Sequence, residues 1–298
     1  KLNPEISFLK LDINNRDVLE KLFLKAINSG YRINAIFHFA GLKSVSESFE
    51  FPDTYWETNV KGTSNVIDMM IKFDCNYFLF SSSASVYDYK INSRFVESDN
   101  TNPKSPYAKT KLEVERILRS VCKSFPNKFK VASLRYFNPV GAHSSGLLGE
   151  LPKSNFNNLF PNLCKAAFGE IDYLRVYGNN WNTKDGYCSR DFVHINDIAN
   201  GHIDIFNYLQ KNKDYFIILN LGSGKVFSVL EVINIFKKIN NCGVPYKVFA
   251  PRIGDIPFLC ADVTFAKKLI SWSPKNGILE MCKDSFLWFK NLKDKNML

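Results

Sequence analysis

Short, nearly continuous apolar runs alternate along this chain with longer stretches whose apolar positions recur every three or four residues; the first pattern predicts strands and the second helices. Ile6–Leu11 reads as a strand ending at Asp12. Val18–Asn28 carries helical spacing and stops before Gly30, a natural cap because glycine enters the left-handed region without steric cost. Ala35–Ala40, closed by Gly41, looks like a parallel strand buried on both faces. Pro52 opens a helix to about Phe73, and the strand Asn76–Phe80 then delivers Ser81-Ser82-Ser83. A helix carrying Tyr107 and Lys111 runs to about Ser124, and Lys130–Arg135 is the next strand.

Strand followed by helix, several times over, predicts an α/β fold with a parallel sheet and crossover helices. Ligands of such sheets sit beyond the carboxyl ends of the strands. Here those ends are Asp12, Phe39–Gly41, Ser81–Ser83 and Tyr136–Pro139, so four exits are expected around one crevice. After Pro139 the pattern loosens, with more Gly, Pro and Asn. We divide the chain into a first domain over 1–139, to which 194–224 is expected to return, and a second region over 140–298. The latter holds a helix near Asn158–Phe168, strands at Leu174–Tyr177 and Tyr246–Ala250, and a helix over Val229–Lys238 that Ser228 and Glu231 start as a capping box.

Composition narrows the choice of partner. The 298 residues are 45% hydrophobic, enough for a substantial core. A formal charge of +10 suits an anionic ligand, yet no basic run exceeds Lys237-Lys238 or Lys267-Lys268. Nucleic acid is therefore not expected, whereas a phosphorylated small molecule needs only a few placed cations. The 7 cysteines show no C-x-x-C pair and the 4 histidines no metal-ligand spacing, so no metal is expected. No apolar run approaches a membrane span and the beginning is not a signal peptide, so no membrane is expected and the cytoplasm is the expected place.

Tyr107 and Lys111 stand four apart, hence on one helix face. An ammonium beside a phenol favours its ionised form, which suits proton transfer near neutral pH. A strand-end serine such as Ser83 could share that proton.

His38-Phe39-Ala40-Gly41-Leu42-Lys43, Asn59-Val60-Lys61-Gly62-Thr63, Phe80-Ser81-Ser82-Ser83-Ala84-Ser85-Val86-Tyr87 and Ser105-Pro106-Tyr107-Ala108-Lys109-Thr110-Lys111 follow one another in that order. Leu134–His143, Asn157-Asn158-Leu159, Arg190-Asp191-Phe192-Val193-His194 and Gly254-Asp255 come after them. This series resembles the extended short-chain dehydrogenase/reductase family, and within it the UDP-sugar 4-epimerases, across nearly the whole chain. The resemblance implies a Rossmann-type doubly wound parallel sheet with a smaller mixed α/β C-terminal substrate domain. It implies NAD as cofactor and interconversion of UDP-galactose and UDP-glucose through a 4-keto intermediate.

Residue by residue, the resemblance implies Tyr107 as acid/base, Lys111 as the group that tunes it and binds the nicotinamide ribose, and Ser83 as partner of the reacting hydroxyl. It places Asp12, Ile13, Phe39, Ala40, Gly41, Lys43, Asn59 and Phe137 at the cofactor. Arg190 and Arg252 match diphosphate contacts, and Asp255 a ribose contact. Asn138, Asn158 and Leu159 match contacts to the sugar and phosphates, with Tyr177 and Phe192 flanking the ligand. Leu259 matches a position beside the sugar's 2-substituent, where an intermediate side chain suggests partial tolerance of N-acetylated sugars. His38 and His194 read as packed core histidines.

Leu259 is one departure from the pattern, and a second concerns the cofactor. The family's G-x-x-G-x-x-G turn has no counterpart, since the matching chain would precede Lys1 and a strand-helix-strand unit takes roughly 30 residues. The expectation is weak NAD binding and poor folding of this chain alone. Ala84-Ser85 after Ser83 argues against a 4,6-dehydratase, which would have an Asp-Glu pair there. A UDP-glucuronate epimerase and a non-catalytic nucleotide-sugar-binding remnant stay open as alternatives. The family commonly forms homodimers through helices that include Pro52–Phe73 and Tyr107–Ser124.

Overall fold

The computed structural model describes residues 6–90, 93–151, 158–252, 254–295 and 297. In chain order it runs α1 (Arg16–Asn28), β1 (Ala35–His38), α2 (Val45–Glu50), α3 (Pro52–Trp56), α4 (Gly62–Lys72), β2 (Tyr77–Ser83), α5 (Pro106–Ser124) and β3 (Lys130–Tyr136). There follow β4 (Asn138–Val140), α6 (Leu159–Ala167), β5 (Leu174–Tyr177), β6 (Ser189–His194), α7 (Ile195–Lys211) and β7 (Phe216–Leu221). Last come β8 (Val226–Ser228), α8 (Val229–Asn240), β9 (Tyr246–Phe249), β10 (Phe258–Leu259), α9 (Thr264–Ile270) and α10 (Ile278–Asp294). The chain forms two compact units, one of Lys1–Ser81, Ser105–Ser133 and Lys213–Ile217, the other of Ser82–Lys104, Leu134–Asn212 and Ile218–Leu298.

The first unit is an α/β layer structure that holds β1 and the leading residues of β2, β3 and β7, strands of a Rossmann-type parallel sheet in the order β1-β2-β3-β7. β1 and β2 are parallel, from Ala35 opposite Tyr77 to His38 opposite Phe80. Lys130 N donates to Asn76 O at 2.8 Å and Val131 N to Tyr215 O at 2.9 Å, continuing the ladder. Phe78 and Phe80 of β2 and Val131 of β3 bury against Leu19, Phe23, Ile67, Met70, Val114 and Leu118 from α1, α4 and α5. Each such side chain contributes about 2 kcal/mol by leaving water, so this layer supplies the rigidity on which the strand exits depend.

Two local outcomes differ from the sequence reading. Ile6–Leu11 forms no strand: no described strand lies beside it, and Ile6, Phe8 and Leu9 stay exposed. A strand signal without a partner leaves its backbone to water. The helix predicted from Pro52 to Phe73 is interrupted by a π turn at Glu57–Lys61. Such turns insert one residue into the helical register and occur often at functional sites. Here the turn contains Asn59, whose carbonyl accepts from Thr63 Oγ1 at 2.6 Å.

In the second unit β6 runs between β10 and β4, both parallel to it, and pairs antiparallel with β8. β5 and β9 form a separate parallel pair. Phe160, Leu163, Phe192, Phe236, Met281 and Phe289 fill the core under these strands. Ser228 Oγ accepts from Glu231 N at 3.0 Å while Ser228 N donates to Glu231 Oε2 at 2.8 Å, the predicted capping box of α8. Asp191 of β6 is fully buried; its carboxylate accepts from Ser223 N and Oγ, both at 2.6 Å, Gly224 N at 2.9 Å and Ala261 N at 3.0 Å. Burial pushes its pKa up against the pull of these donors.

Candidate functional site

Two groups of the predicted site residues assemble, one in each unit. In the first, α5 begins at Ser105, whose Oγ accepts from Ala108 N at 3.1 Å, with Pro106 supplying the fixed backbone of the first turn. That start puts Tyr107 in the first turn and Lys111 one turn on. Lys111 Nζ lies 5.8 Å from the centroid of the Tyr107 ring and 5.0 Å from that of Phe80. It donates to Ser81 O at 2.8 Å, at the end of β2. Both side chains are buried, and burial lowers the Lys111 pKa to about 8.

The exit of β1 lies in the same unit. Phe39, Ala40, Gly41 and Lys43 are exposed along it. Gly41 has φ +154, and a Cβ there would come within 2.9 Å of Asn59 Oδ1 and 3.8 Å of Lys111 Nζ. Only glycine fits that approach. Asn59 clamps the loop through both ends of its amide: Leu42 N donates to Oδ1 at 2.8 Å, and Nδ2 donates to Leu42 O at 3.0 Å and to Thr110 Oγ1 at 3.1 Å. Thr110 Oγ1 in turn donates to Tyr107 O at 2.7 Å. One asparagine therefore joins the β1 exit to the helix of Tyr107. Asp12 accepts from Asn14 N at 2.9 Å through its side chain, and Asn65 Nδ2 holds the carbonyls of Ile13 and Asn14 at 3.0 and 3.1 Å. His38 is packed as expected: Thr63 already donates its proton to Asn59, so His38 Nε2 donates to Thr63 Oγ1 at 2.8 Å. Burial, helped by the Lys111 charge, lowers the His38 pKa to about 4 and keeps it neutral.

In the second unit, Ser83 caps the turn Ala84–Val86 and its Oγ accepts from Ser85 N at 3.2 Å and Ser85 Oγ at 2.9 Å. Phe137 and Leu259 pack together with Tyr87, Phe95 and Ala261. Arg252 embraces Asp255 with two hydrogen bonds, Nε to Oδ2 at 2.9 Å and Nη2 to Oδ1 at 3.0 Å, and lies 4.7 Å over the Tyr177 ring. Arg190 Nη2 stands 4.0 Å from Asp255 Oδ1. Tyr177, Arg190, Arg252 and Asp255 thus form one cluster, and Leu259 is opposite Arg190 in the β10–β6 register. Asn138 sits opposite Phe192 on β4, with its Oδ1 buried and unpartnered. A carbonyl oxygen in that condition is poised to accept from a ligand.

The remaining residues stand differently. Phe192 is buried against Phe160 in the core, ring centroids 5.7 Å apart. Asn158 precedes α6, where Nδ2 donates to Glu150 Oε1 at 2.8 Å, and Leu159 is half-buried beside it. Asn157 lies outside the described residues. Sequence reasoning missed Thr110, although it stands inside the quoted Tyr107 motif, and Asn65 and Tyr55, which carry no motif.

The profile of the NAD dependent epimerase/dehydratase family matches residues 1–222. A bifunctional UDP-glucose 4-epimerase and UDP-xylose 4-epimerase from Pisum sativum is 40% identical over 291 residues, covering 97% of this chain and 81% of that protein. A UDP-glucose 4-epimerase from Dictyostelium discoideum is 39% identical, covering 95% of this chain and 81% of its own. Among solved structures, the UDP-glucose 4-epimerase of Bifidobacterium longum in complex with NAD+ and UDP superposes with a TM-score of 0.89 at 36% identity, covering 97% of this chain and 84% of that one. That of Stenotrophomonas maltophila, with bound NAD and formylated UDP-arabinopyranose, gives 0.91 at 34%, with the same coverage of 97% and 84%.

Proposed function

The chain belongs to the NAD dependent epimerase/dehydratase family, and from that premise we propose that Tyr107, Lys111 and Ser83 carry its reaction, the NAD-dependent interconversion of UDP-glucose and UDP-galactose. The enzyme is an isomerase. The observation that supports this assignment best is the buried Tyr107–Lys111 pair, with Lys111 fixed on Ser81 O.

The residues present fit the cofactor: an exposed strand exit, a glycine whose Cβ would obstruct it, and a buried lysine beneath. Phe39, Ala40, Gly41, Lys43 and Asn59 would hold NAD there, with Asp12 and Ile13 at its adenine end. When bound, NAD supplies the acceptor and later the donor of the substrate's C4 hydride. Tyr107 takes the proton of the sugar 4-hydroxyl and returns it, which leaves a 4-keto sugar in between. Lys111 holds positive charge beside the phenol and so favours its deprotonated state during transfer. Ser83 accepts two hydrogen bonds from Ser85, so its own proton is available to the sugar oxygen.

In the second unit, Arg190 and Arg252 are suited to the UDP diphosphate, since guanidinium forks pair with phosphate oxygens. Tyr177, already under Arg252, would line the nucleotide end, Asp255 would take a ribose hydroxyl, and Asn138 would donate or accept at the sugar. Phe51 and Trp56, at the two ends of α3, expose apolar surface, which supports a homodimer through the helices that include Pro52–Phe73 and Tyr107–Ser124. Six of the seven cysteines are buried thiols, in keeping with the cytoplasm.

The direct test supplies UDP-galactose and NAD and measures UDP-glucose with a coupled dehydrogenase. Conversion supports the proposal. Tight UDP-galactose and NAD binding without any conversion would instead favour a nucleotide-sugar-binding remnant.

A further inference from the structure

Tyr55 of α3 is wholly buried, and the chemistry above gives it no task. Its hydroxyl donates to Glu47 Oε2 at 2.6 Å and accepts from Ser44 N at 3.0 Å. Ser44 Oγ, the cap of α2, accepts from Glu47 N at 3.3 Å. These three bonds close a ring around the start of α2, three residues after Gly41. The hydroxyl is thus committed to the Ser44 backbone at the end of the β1 exit and to the Glu47 side chain of α2, not to its own helix. Burial and the Glu47 carboxylate raise the Tyr55 pKa, so the phenol stays a donor. On its other side, the Tyr55 ring meets that of Tyr107 edge to face, with centroids 6.5 Å apart at 87°. That arrangement is attractive between aromatic quadrupoles and defines the orientation of both rings.

We propose that Tyr55 is a positioning residue with two outputs: its hydroxyl fixes the Leu42–Ser44 backbone for NAD, and its ring fixes the orientation of Tyr107. Asn59 grips the same loop at Leu42, so the β1 exit is held from both ends. Tyrosine suits the task because a side chain with two rotatable bonds loses little freedom when it holds two groups at once. The inference rests on reading the β1 exit as the NAD site and Tyr107 as the proton acceptor.

Separate variants divide the outputs. Tyr55→Phe keeps the ring and removes the clamp; Tyr55→Leu removes both; Glu47→Gln keeps an acceptor for the hydroxyl. NAD affinity is measured by calorimetry, kcat at saturating NAD, and the melting temperature without ligand. Loss of one hydrogen-bonded clamp should weaken NAD about tenfold in Tyr55→Phe, with kcat within about twofold of the wild type. Tyr55→Leu should in addition lower kcat about tenfold or more, and Glu47→Gln should stay within about threefold of the wild type in affinity. If Tyr55→Phe melts lower but binds NAD and turns over like the wild type, Tyr55 is merely core and the proposal fails. Should Tyr55→Phe fold poorly, Ser44→Pro, which the φ of −77 there admits, removes the N–H that the hydroxyl holds, and unchanged NAD affinity there defeats the proposal equally. If Gly41→Val leaves NAD affinity unchanged, the reading of the β1 exit as the NAD site fails, and the inference with it.

Discussion

Replacing Lys111 by methionine gives the sharpest physical test of the site's electrostatics. Lys111 is wholly enclosed, and burial lowers its pKa from the ordinary 10.5 to about 8. A lysine whose native pKa lies below its unfolded value opposes folding while it is charged. That opposition is complete below about pH 8 and fades as the pH rises towards 10.5, because over this window the unfolded chain binds more protons than the native one. At about 1.4 kcal/mol for each tenfold change in proton affinity, the gap corresponds to about 3 kcal/mol. Methionine keeps the length and apolar stem, carries no charge, and leaves Ser81 O without this donor at a cost of about 1–2 kcal/mol that does not vary with pH. Urea unfolding of the ligand-free wild type and of Lys111→Met, run side by side, isolates the lysine from every other titrating group. The wild type should gain about 2 kcal/mol relative to the variant between about pH 7 and pH 9.5. A difference that stays flat across that range would refute the claim that Lys111 is held at a cost for function.

Three further outcomes follow from the second unit. Arg252→Leu should weaken UDP binding about tenfold to a hundredfold by calorimetry, since it removes a charge-assisted fork and leaves Asp255 with Arg190 alone. Asp191→Ala strands three backbone donors, Ser223 N, Gly224 N and Ala261 N, and should cost about 3 kcal/mol or more in urea unfolding; a loss under about 1 kcal/mol would mean the loop at Ser223–Gly224 is pinned by something else. Leu259, of intermediate size, should permit turnover of N-acetylated UDP-sugars at a kcat/KM within about a thousandfold of UDP-galactose, and Leu259→Tyr should widen the gap; a wild-type preference larger than that, some 4 kcal/mol, would show that leucine already closes the pocket.

Much of the fold was legible because its signals are local and strong. The runs at Ala35, Asn76 and Lys130 became β1, β2 and β3, and Ser228 with Glu231 began α8 where the capping box placed it. β4 and β10, of three and two residues, were not legible, because so few residues show no periodicity and their pairing with β6 is decided by tertiary contacts. The π turn at Glu57–Lys61 was missed for a similar reason: a shift of one residue barely disturbs a helical apolar pattern, yet it is what turns Asn59 towards Leu42 and Thr110. Ile6–Leu11 shows the opposite case, a convincing strand pattern that needs a neighbour to become one. At the site, four-residue spacing alone brought Tyr107 and Lys111 together. That Phe192 packs against Phe160 is likewise decided by tertiary contacts and not by residue type.

The central claim is that Tyr107 is the proton acceptor of a UDP-sugar 4-epimerase. Conversion of UDP-galactose to UDP-glucose by Tyr107→Phe, with NAD saturating and UDP affinity measured on the same sample, tests it most directly. The variant keeps the ring against Tyr55 and loses only the phenol oxygen. Turnover should fall by about a hundredfold to ten-thousandfold while UDP affinity stays within about twofold. Unchanged turnover in the folded variant would contradict the assignment and move the search for the acid/base to another residue.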